Sequence, residues 1–439
     1  KSAMKIIGIR TSLDRVSDFD KIEDVFAISP RYKVYPQNDD GRSIMMEGST
    51  TPADTALWAH GIYGAGEILN VTDSGITMGH YAFYDNSVNL NTWGLYPSHR
   101  KVIAYYPTVW DWIDAGYVLF GDESNSSYHG THTSGTTSGN DAGFATSPYD
   151  GIAKEAKIFF MDCGDDTSDW LWIPVDNYSM FDTMYVHGAK LTSNSYGGYN
   201  DTIAGAYMDG SQNVDAFTWD HKDFTIFFSA GNDGTQSQTI SPTPSAKNVV
   251  AVGAHDEGSP NSQANFSSEG PTADGRWGVT IMAPGTDVMS ADGGTSGASS
   301  DYQNMQGTSM SCPFATGATA LMRDWLKQGF YPTGTAQAGN AITDPSSALL
   351  RALMINSGED MGQTVPNAEI GFGRYTLYNV TFMNDVSPKA IALHDAKDGL
   401  LQDEYVDYQF NVTDGSSDLK VSLVWTDYPY PFVGYNQNA

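Results

Sequence analysis

Between about residues 57 and 377, short runs of β-branched and aromatic residues alternate with helical stretches. No other feature restricts the fold as much. Glu67-Ile68-Leu69-Asn70-Val71-Thr72, Ala156-Lys157-Ile158-Phe159-Phe160-Met161, Lys190-Leu191-Thr192-Ser193-Asn194, Phe224-Thr225-Ile226-Phe227-Phe228-Ser229 and Asn248-Val249-Val250-Ala251-Val252 read as strands. Helices are expected over about 177–187 and 309–327. Strand–helix–strand order of this kind predicts an α/β fold, a parallel sheet with helices on both faces. In such sheets reactive groups collect at the carboxyl ends of the strands. Asp73 and Asn232 both stand just past a strand's carboxyl end.

The two ends of the chain follow other patterns. Residues 1–35 read as strand, helix, strand, and 37–51 as a polar loop or linker. After residue 379, Tyr405-Val406-Asp407-Tyr408-Gln409-Phe410 and Leu419-Lys420-Val421-Ser422-Leu423-Val424-Trp425 suggest the opening strands of an antiparallel β-sandwich. Only about sixty residues remain there, against the ~100 of a complete sandwich. The domain expectation is therefore 1–35, 36–380 and an incomplete 381–439, whose sheet a partner or a continuation of the chain would complete.

The charge is lopsided, 52 acidic residues against 23 basic, for a formal net charge of -29. A field of that sign argues against nucleic acid and anionic membranes as partners. It suits solubility, and it suits a hard cation: Gly164-Asp165-Asp166-Thr167-Ser168-Asp169 is an oxygen-rich loop that makes a structural calcium an expectation. No apolar run is long enough to cross a bilayer, and no signal-peptide pattern opens the sequence. The two cysteines, Cys163 and Cys312, sit in apolar settings and read as buried thiols. Sequons occur at Asn70, Asn125, Asn177, Asn200, Asn265, Asn379 and Asn411.

Three segments carry chemistry together: Val71-Thr72-Asp73-Ser74-Gly75, His129-Gly130-Thr131-His132-Thr133-Ser134-Gly135 and Gly307-Thr308-Ser309-Met310-Ser311-Cys312-Pro313. A serine hydroxyl is a weak nucleophile at neutral pH and needs an adjacent base. A histidine can take its proton and return it to the leaving amine, and a buried carboxylate fixes the histidine's tautomer. His132, a turn beyond His129, is expected to pack, as is Cys312.

These segments, in this order, resemble the signature motifs of the subtilase family (peptidase S8). Phe228-Ser229-Ala230-Gly231-Asn232-Asp233-Gly234 is similar to that family's oxyanion-hole motif. The resemblance implies a triad of Asp73, His129 and Ser309, an oxyanion hole of Asn232 and the Ser309 backbone N–H, and no cofactor for catalysis. Asn194-Ser195-Tyr196-Gly197-Gly198 looks like the strand that pairs with extended substrate. Ser195, Tyr196 and Gly197, with Ser229, Ala230 and Gly231, would wall the primary pocket, and Ser241 would stand at its base. No fixed charge lies among them, so an apolar or aromatic side chain before the scissile bond is expected.

The likeness extends to the alkaline protease branch with a C-terminal β-domain, through Gly371-Phe372-Gly373-Arg374 and 419–427, and it makes residues 1–35 a propeptide-like remnant. The expectation is a secreted or cell-surface serine endopeptidase acting on proteins or peptides. The alternative is a subtilase-fold surface or assembly protein with blocked or vestigial proteolysis. An esterase is disfavoured, because Gly307-Thr308-Ser309-Met310-Ser311 lacks the Gly-x-Ser-x-Gly elbow.

Overall fold

The computed structural model describes residues 38–51, 55–114, 116, 118–122, 127–141, 147–165, 171–174, 176–198, 203–293, 301–386, 391–409, 411, 415 and 419–430. The chain divides into two compact units, Lys1–Tyr35 and Pro36–Ala439. The strand–helix–strand expected at residues 1–35 lies outside the described residues.

Ten strands run in chain order through the described residues: β1 (Ile68–Asp73), β2 (Gly94–Leu95), β3 (Val102–Pro107), β4 (Lys157–Asp162), β5 (Leu191–Asn194), β6 (Thr225–Ser229), β7 (Val250–His255), β8 (Ile281–Pro284), β9 (Val288–Ala291) and β10 (Tyr302–Met305). The helices are α1 (Asn38–Glu47), α2 (Ala56–Ala59), α3 (Trp110–Asp114), α4 (His129–Ser138), α5 (Asn177–Val186), α6 (Asp209–Asp220), α7 (Thr308–Lys327) and α8 (Ser347–Ser357). An eight-stranded sheet has the order β2-β3-β4-β1-β5-β6-β7-β8. The pairs from β3 to β8 are parallel, and only the short β2 is antiparallel. Strands β9 and β10 form a separate hairpin.

Both faces of the sheet are covered, so its strands are continuous apolar runs instead of alternating ones. On one face Leu69, Leu191, Phe227, Val250 and Val252 pack with Phe314, Ala318 and Leu321 of α7. On the other, Phe159, Ile226, Phe228 and Ala251 pack with Met180 and Phe181 of α5 and with Val214 and Phe217 of α6. β1 has β4 on one side and β5 on the other, and the chain builds outward from it in both directions. Such a reversal opens a crevice at the carboxyl ends of the central strands. Asp73, the last residue of β1, faces it.

Two sequence expectations meet a different structure. Residues 38–47 form α1 instead of a loop, because Ile44, Met45 and Met46 are fully buried against the core. Packing of one apolar turn there outweighs weak helix propensity and a central glycine. The sheet expected near the C-terminus does not form among the described residues. Residues 405–409 and 419–425 lie in no strand or ladder. Without a neighbouring strand, the second segment is fastened by side chains: Arg351 Nη2 donates to Trp425 O at 2.9 Å, and Asn248 trades two bonds with the Asp427 backbone.

Candidate active site

Asp73 is fully buried, and each of its carboxylate oxygens is engaged. Oδ1 accepts from the Ser74 N–H at 2.8 Å and from His129 Nδ1 at 2.7 Å, and Oδ2 accepts from Thr133 Oγ1 at 3.0 Å. His129 opens α4, and Thr133 follows one turn later on the same face, so a single carboxylate holds both. The bond at Nδ1 places the imidazole proton toward Asp73 and leaves Nε2 to face the cleft, with the side chain 22% exposed. Burial alone would lower the His129 pKa, but the Asp73 charge and hydrogen bond, with Asp122 adding, raise it above the ordinary value.

Ser309 lies at the second position of α7, after Gly307, whose φ of 149° favours glycine. Pro313 sits four residues on and has no N–H to give, so the Ser309 carbonyl lacks its helical partner. Ser195 Oγ takes that place, donating to Ser309 O at 2.8 Å, and Ser309 Oγ donates to Ser195 O at 3.2 Å. Asn232 stands beside them on the loop after β6. Its Oδ1 accepts from Thr308 N at 2.8 Å and Thr308 Oγ1 at 2.9 Å. With Oδ1 engaged by two donors, Nδ2 is the end of the amide left to donate into the cleft.

The expected pocket residues come together on adjacent strands. β5 leads into Ser195, Tyr196 and Gly197, and β6 leads into Ser229, Ala230 and Gly231. Ser241 N donates to Ala230 O at 3.0 Å, and the Ser241 hydroxyl lies between the two walls, within reach of both Gly197 and Gly231. Tyr196 packs edge-on against Phe228 at 5.3 Å and donates to Asn194 Oδ1 at 3.2 Å. These walls carry no charged side chain.

The acidic loop is a different case. Asp165 Oδ2 accepts from Trp172 Nε1 at 3.2 Å, and Asp166 and Asp169 lie outside the described residues. No group of three or more His, Cys, Asp or Glu among the described residues could hold a metal. Both cysteines are free, buried thiols; Cys163 Sγ donates to Asp73 O at 3.2 Å. His132 is buried, with Nε2 at 3.0 Å from Val288 O, and burial pushes its pKa down to about 3. Asn70 is buried and donates to Phe159 O, which closes that sequon to a glycan. Sequence reasoning missed Ser74, Asp122, Thr133 and Thr308, whose part is seen only in their hydrogen bonds around Asp73, His129 and Asn232. The signal that could have found one partnership was Pro313, four residues past Ser309.

On this doubly covered, mostly parallel sheet the Asp73–His129 pair stands at the carboxyl end of β1, and Asn232, bonded to Thr308 next to Ser309, follows β6. Residues 64–373 match the profile of the subtilase family of S8 peptidases. The chain belongs to that family, and this span is a serine-peptidase domain.

The serine protease/ABC transporter B family protein tagD of Dictyostelium discoideum is 29% identical over 401 residues, covering 69% of this chain and 21% of that protein. Its tagA is 24% identical over 493 residues, covering 89% and 27%. Subtilisin-like protease 1 of Arthroderma gypseum is 30% identical over 251 residues, 55% of this chain and 46% of that one. The chain thus spans about a fifth to a quarter of the Dictyostelium relatives. Among solved structures, the prenylagaramide maturation protease PagA aligns with a TM-score of 0.51 at 17% identity, covering 75% of this chain and 96% of that one. A mutant of the PatA protease domain aligns at 0.50 and 19% identity, covering 70% and 91%. These two likenesses concern the fold.

Proposed function

We propose that this chain is an endopeptidase in which Ser309 is the nucleophile, His129 the general base and acid, Asp73 the group that orients the imidazole, and Asn232 an oxyanion donor. Ser309 Oγ attacks the scissile carbonyl carbon as its proton passes to His129 Nε2. The oxyanion receives hydrogen bonds from Asn232 Nδ2 and from the Ser309 backbone N–H, one of the unpartnered donors at the start of α7. Collapse breaks the C–N bond, His129 returns the proton to the leaving amine, and water repeats the sequence on the acyl-enzyme. The observation that supports this reading is the 2.7 Å bond from His129 Nδ1 to Asp73, which fixes the tautomer a general base needs. Ser309 Oγ donates to Ser195 O at 3.2 Å, and the reading requires that hydroxyl to turn to His129 Nε2 when substrate binds.

The uncharged walls at Tyr196, Gly197, Ala230 and Gly231 favour an apolar or aromatic residue before the scissile bond; a peptide panel cleaved mainly after Lys or Arg would contradict this. Action outside the cell, glycans at exposed sequons such as Asn265, a structural calcium near Asp165 and an inhibitory role for residues 1–35 extend the same reading. The apolar stripe of Leu419, Val421, Leu423 and Trp425, all more than 60% exposed, fits a sheet completed by further chain or by a partner. A fluorophosphonate probe is the direct test. Labelling lost in Ser309→Ala, with casein cleaved by the parent, is the expected result. A folded parent that stays unlabelled would leave the assembly reading standing.

A further inference from the structure

Helix α4 carries His129, and its amino end is fastened from outside the helix. The first N–H groups of a helix have no intrahelical partners. Tyr128, ahead of α4, is in the left-handed region with a φ of 57° and contributes no side-chain cap. The cap comes from a loop elsewhere. Asp122 Oδ2 accepts from the Thr131 N–H at 2.8 Å and from Thr131 Oγ1 at 2.6 Å. Asp122 Oδ1 accepts from Ser74 Oγ at 3.0 Å, and that same Ser74 oxygen accepts from the Gly130 N–H at 2.9 Å. The Ser74 N–H donates to Asp73 Oδ1. One continuous set of bonds therefore joins Asp73, Ser74, Asp122 and the first turn of α4. The backbones interlock at the same place, since a Cβ on Gly130 would lie 2.2 Å from Gly75 O.

We propose that Asp122 is a positioning residue for the peptidase reaction: a buried carboxylate that clamps the first turn of α4 to the loop after Asp73 and holds His129 in line with Asp73 and Ser309. This rests on the assignment of Ser309 and His129 above. Burial pushes the Asp122 carboxyl up to about 6, against the bonds from Thr131 and Ser74 and with the Asp73 charge adding. The titratable groups around it are Asp73 at the end of β1, His129 on α4, Tyr105 and Asp162 on β3 and β4, and Cys163 after β4. Burial raises the pKa of both Tyr105 and Cys163 and keeps them neutral, so the charges acting on His129 are those of Asp73 and Asp122. Asp122 thus acts on His129 twice, through position and through charge.

The test is steady-state kinetics across pH on the full chain for Asp122→Asn, Asp122→Ala and Thr131→Val, with Asp324→Asn as a control. Asp324 is another carboxylate with a raised pKa; it accepts from the Tyr63 and Gly64 N–H groups, remote from the cleft. Small displacements of a reacting group cost up to about 100-fold in rate. The expected result is a fall in kcat of about tenfold for Asp122→Asn and about 100-fold for Asp122→Ala, with KM within about threefold. The acid limb of kcat/KM should move to lower pH in Asp122→Asn and stay in place in Thr131→Val, which keeps the charge and loses some kcat. If the Asp122 variants do not fold, Thr131→Val decides. Unchanged kcat and an unmoved acid limb, with only melting temperature lowered as in Asp324→Asn, would overturn the proposal. A parent that shows no Ser309-dependent labelling is a separate failure, that of the catalytic assignment, and it registers before any variant is measured.

Discussion

Ser195 and Ser309 exchange hydrogen bonds, each hydroxyl donating to the other's carbonyl, at 2.8 and 3.2 Å. The exchange depends on Pro313, which leaves the Ser309 carbonyl without the helical donor it would otherwise have. It couples the strand that should receive substrate to the helix that carries the nucleophile. Ser195→Ala leaves that carbonyl without its donor and should cost about 1–2 kcal/mol of stability. Urea unfolding measures this, and a variant as stable as its parent would show that the exchange contributes nothing.

Asn232 is held by its oxygen, which takes both donors of Thr308. Its nitrogen is thereby aimed without moving during reaction, the condition under which an oxyanion donor is most effective. Asn232→Ala should lower kcat by about 10²–10³ with little change in KM, the loss associated with removing one such donor. Equal losses in kcat and in substrate affinity would instead point to a collapsed cleft.

The central sheet was legible because its strands are apolar runs on a fixed alternation, and Asp73, His129, Ser309 and Asn232 lie in motifs whose spacing is distinctive. What escaped was set by tertiary contact. α1 has little helical signal of its own and forms because Ile44, Met45 and Met46 find the core. Asp122 lies seven residues before His129 in a loop with no regular pattern, and only the folded chain brings it to Thr131 and Ser74. The stretch 419–425 has the alternation of a strand, but alternation specifies a face and not a neighbour.

A buried carboxylate joins the two elements that carry Asp73 and Ser309, holding Arg323 inside and the partly exposed Lys327 one turn later on α7. Arg323, late in α7, meets Glu67, just before β1, at 2.7 Å, with side chains 3% and 1% exposed. Glu67→Ala strands the guanidinium in the interior and should cost about 3–5 kcal/mol. The double variant Glu67→Leu/Arg323→Met should recover most of that, because an apolar pair of similar volume is often neutral or stabilising and Lys327, 28% exposed, can turn to solvent. Thermal unfolding of the single and double variants distinguishes the two, and a double variant no better than the single would mean the pair has a specific role beyond its charge.

Acid should act on this protein through its histidines, and in two opposed directions. His80, His99, His132 and His255 are buried, and desolvation lowers each pKa, to about 4 for His99 and to about 3 for His132 and His255. A depressed histidine contributes stability that is complete above its unfolded pKa and is lost as pH falls toward the folded value. Each therefore removes about 1.4 kcal/mol per pH unit below about 6.5. His129 has the opposite sign: its pKa is raised, so its contribution is complete below the unfolded value and is lost as pH rises through the folded one. Four such sites against His129, with the buried Asp122 carboxyl raised to about 6 offsetting one of them below that pH, make the net effect destabilising, so the urea midpoint should fall between pH 7 and pH 5. Activity follows His129 alone, since the base must be neutral to accept the serine proton, and kcat/KM should rise through a pKa above the ordinary histidine value. As pH rises above about 6.5, activity should thus climb while the stabilising contribution of charged His129 fades. Parallel measurement of kcat/KM and of the urea midpoint in wild type and His129→Ala separates the two trends. A stability profile over that window with the same slope in both proteins would mean that His129 and Asp73 do not interact as the 2.7 Å bond requires.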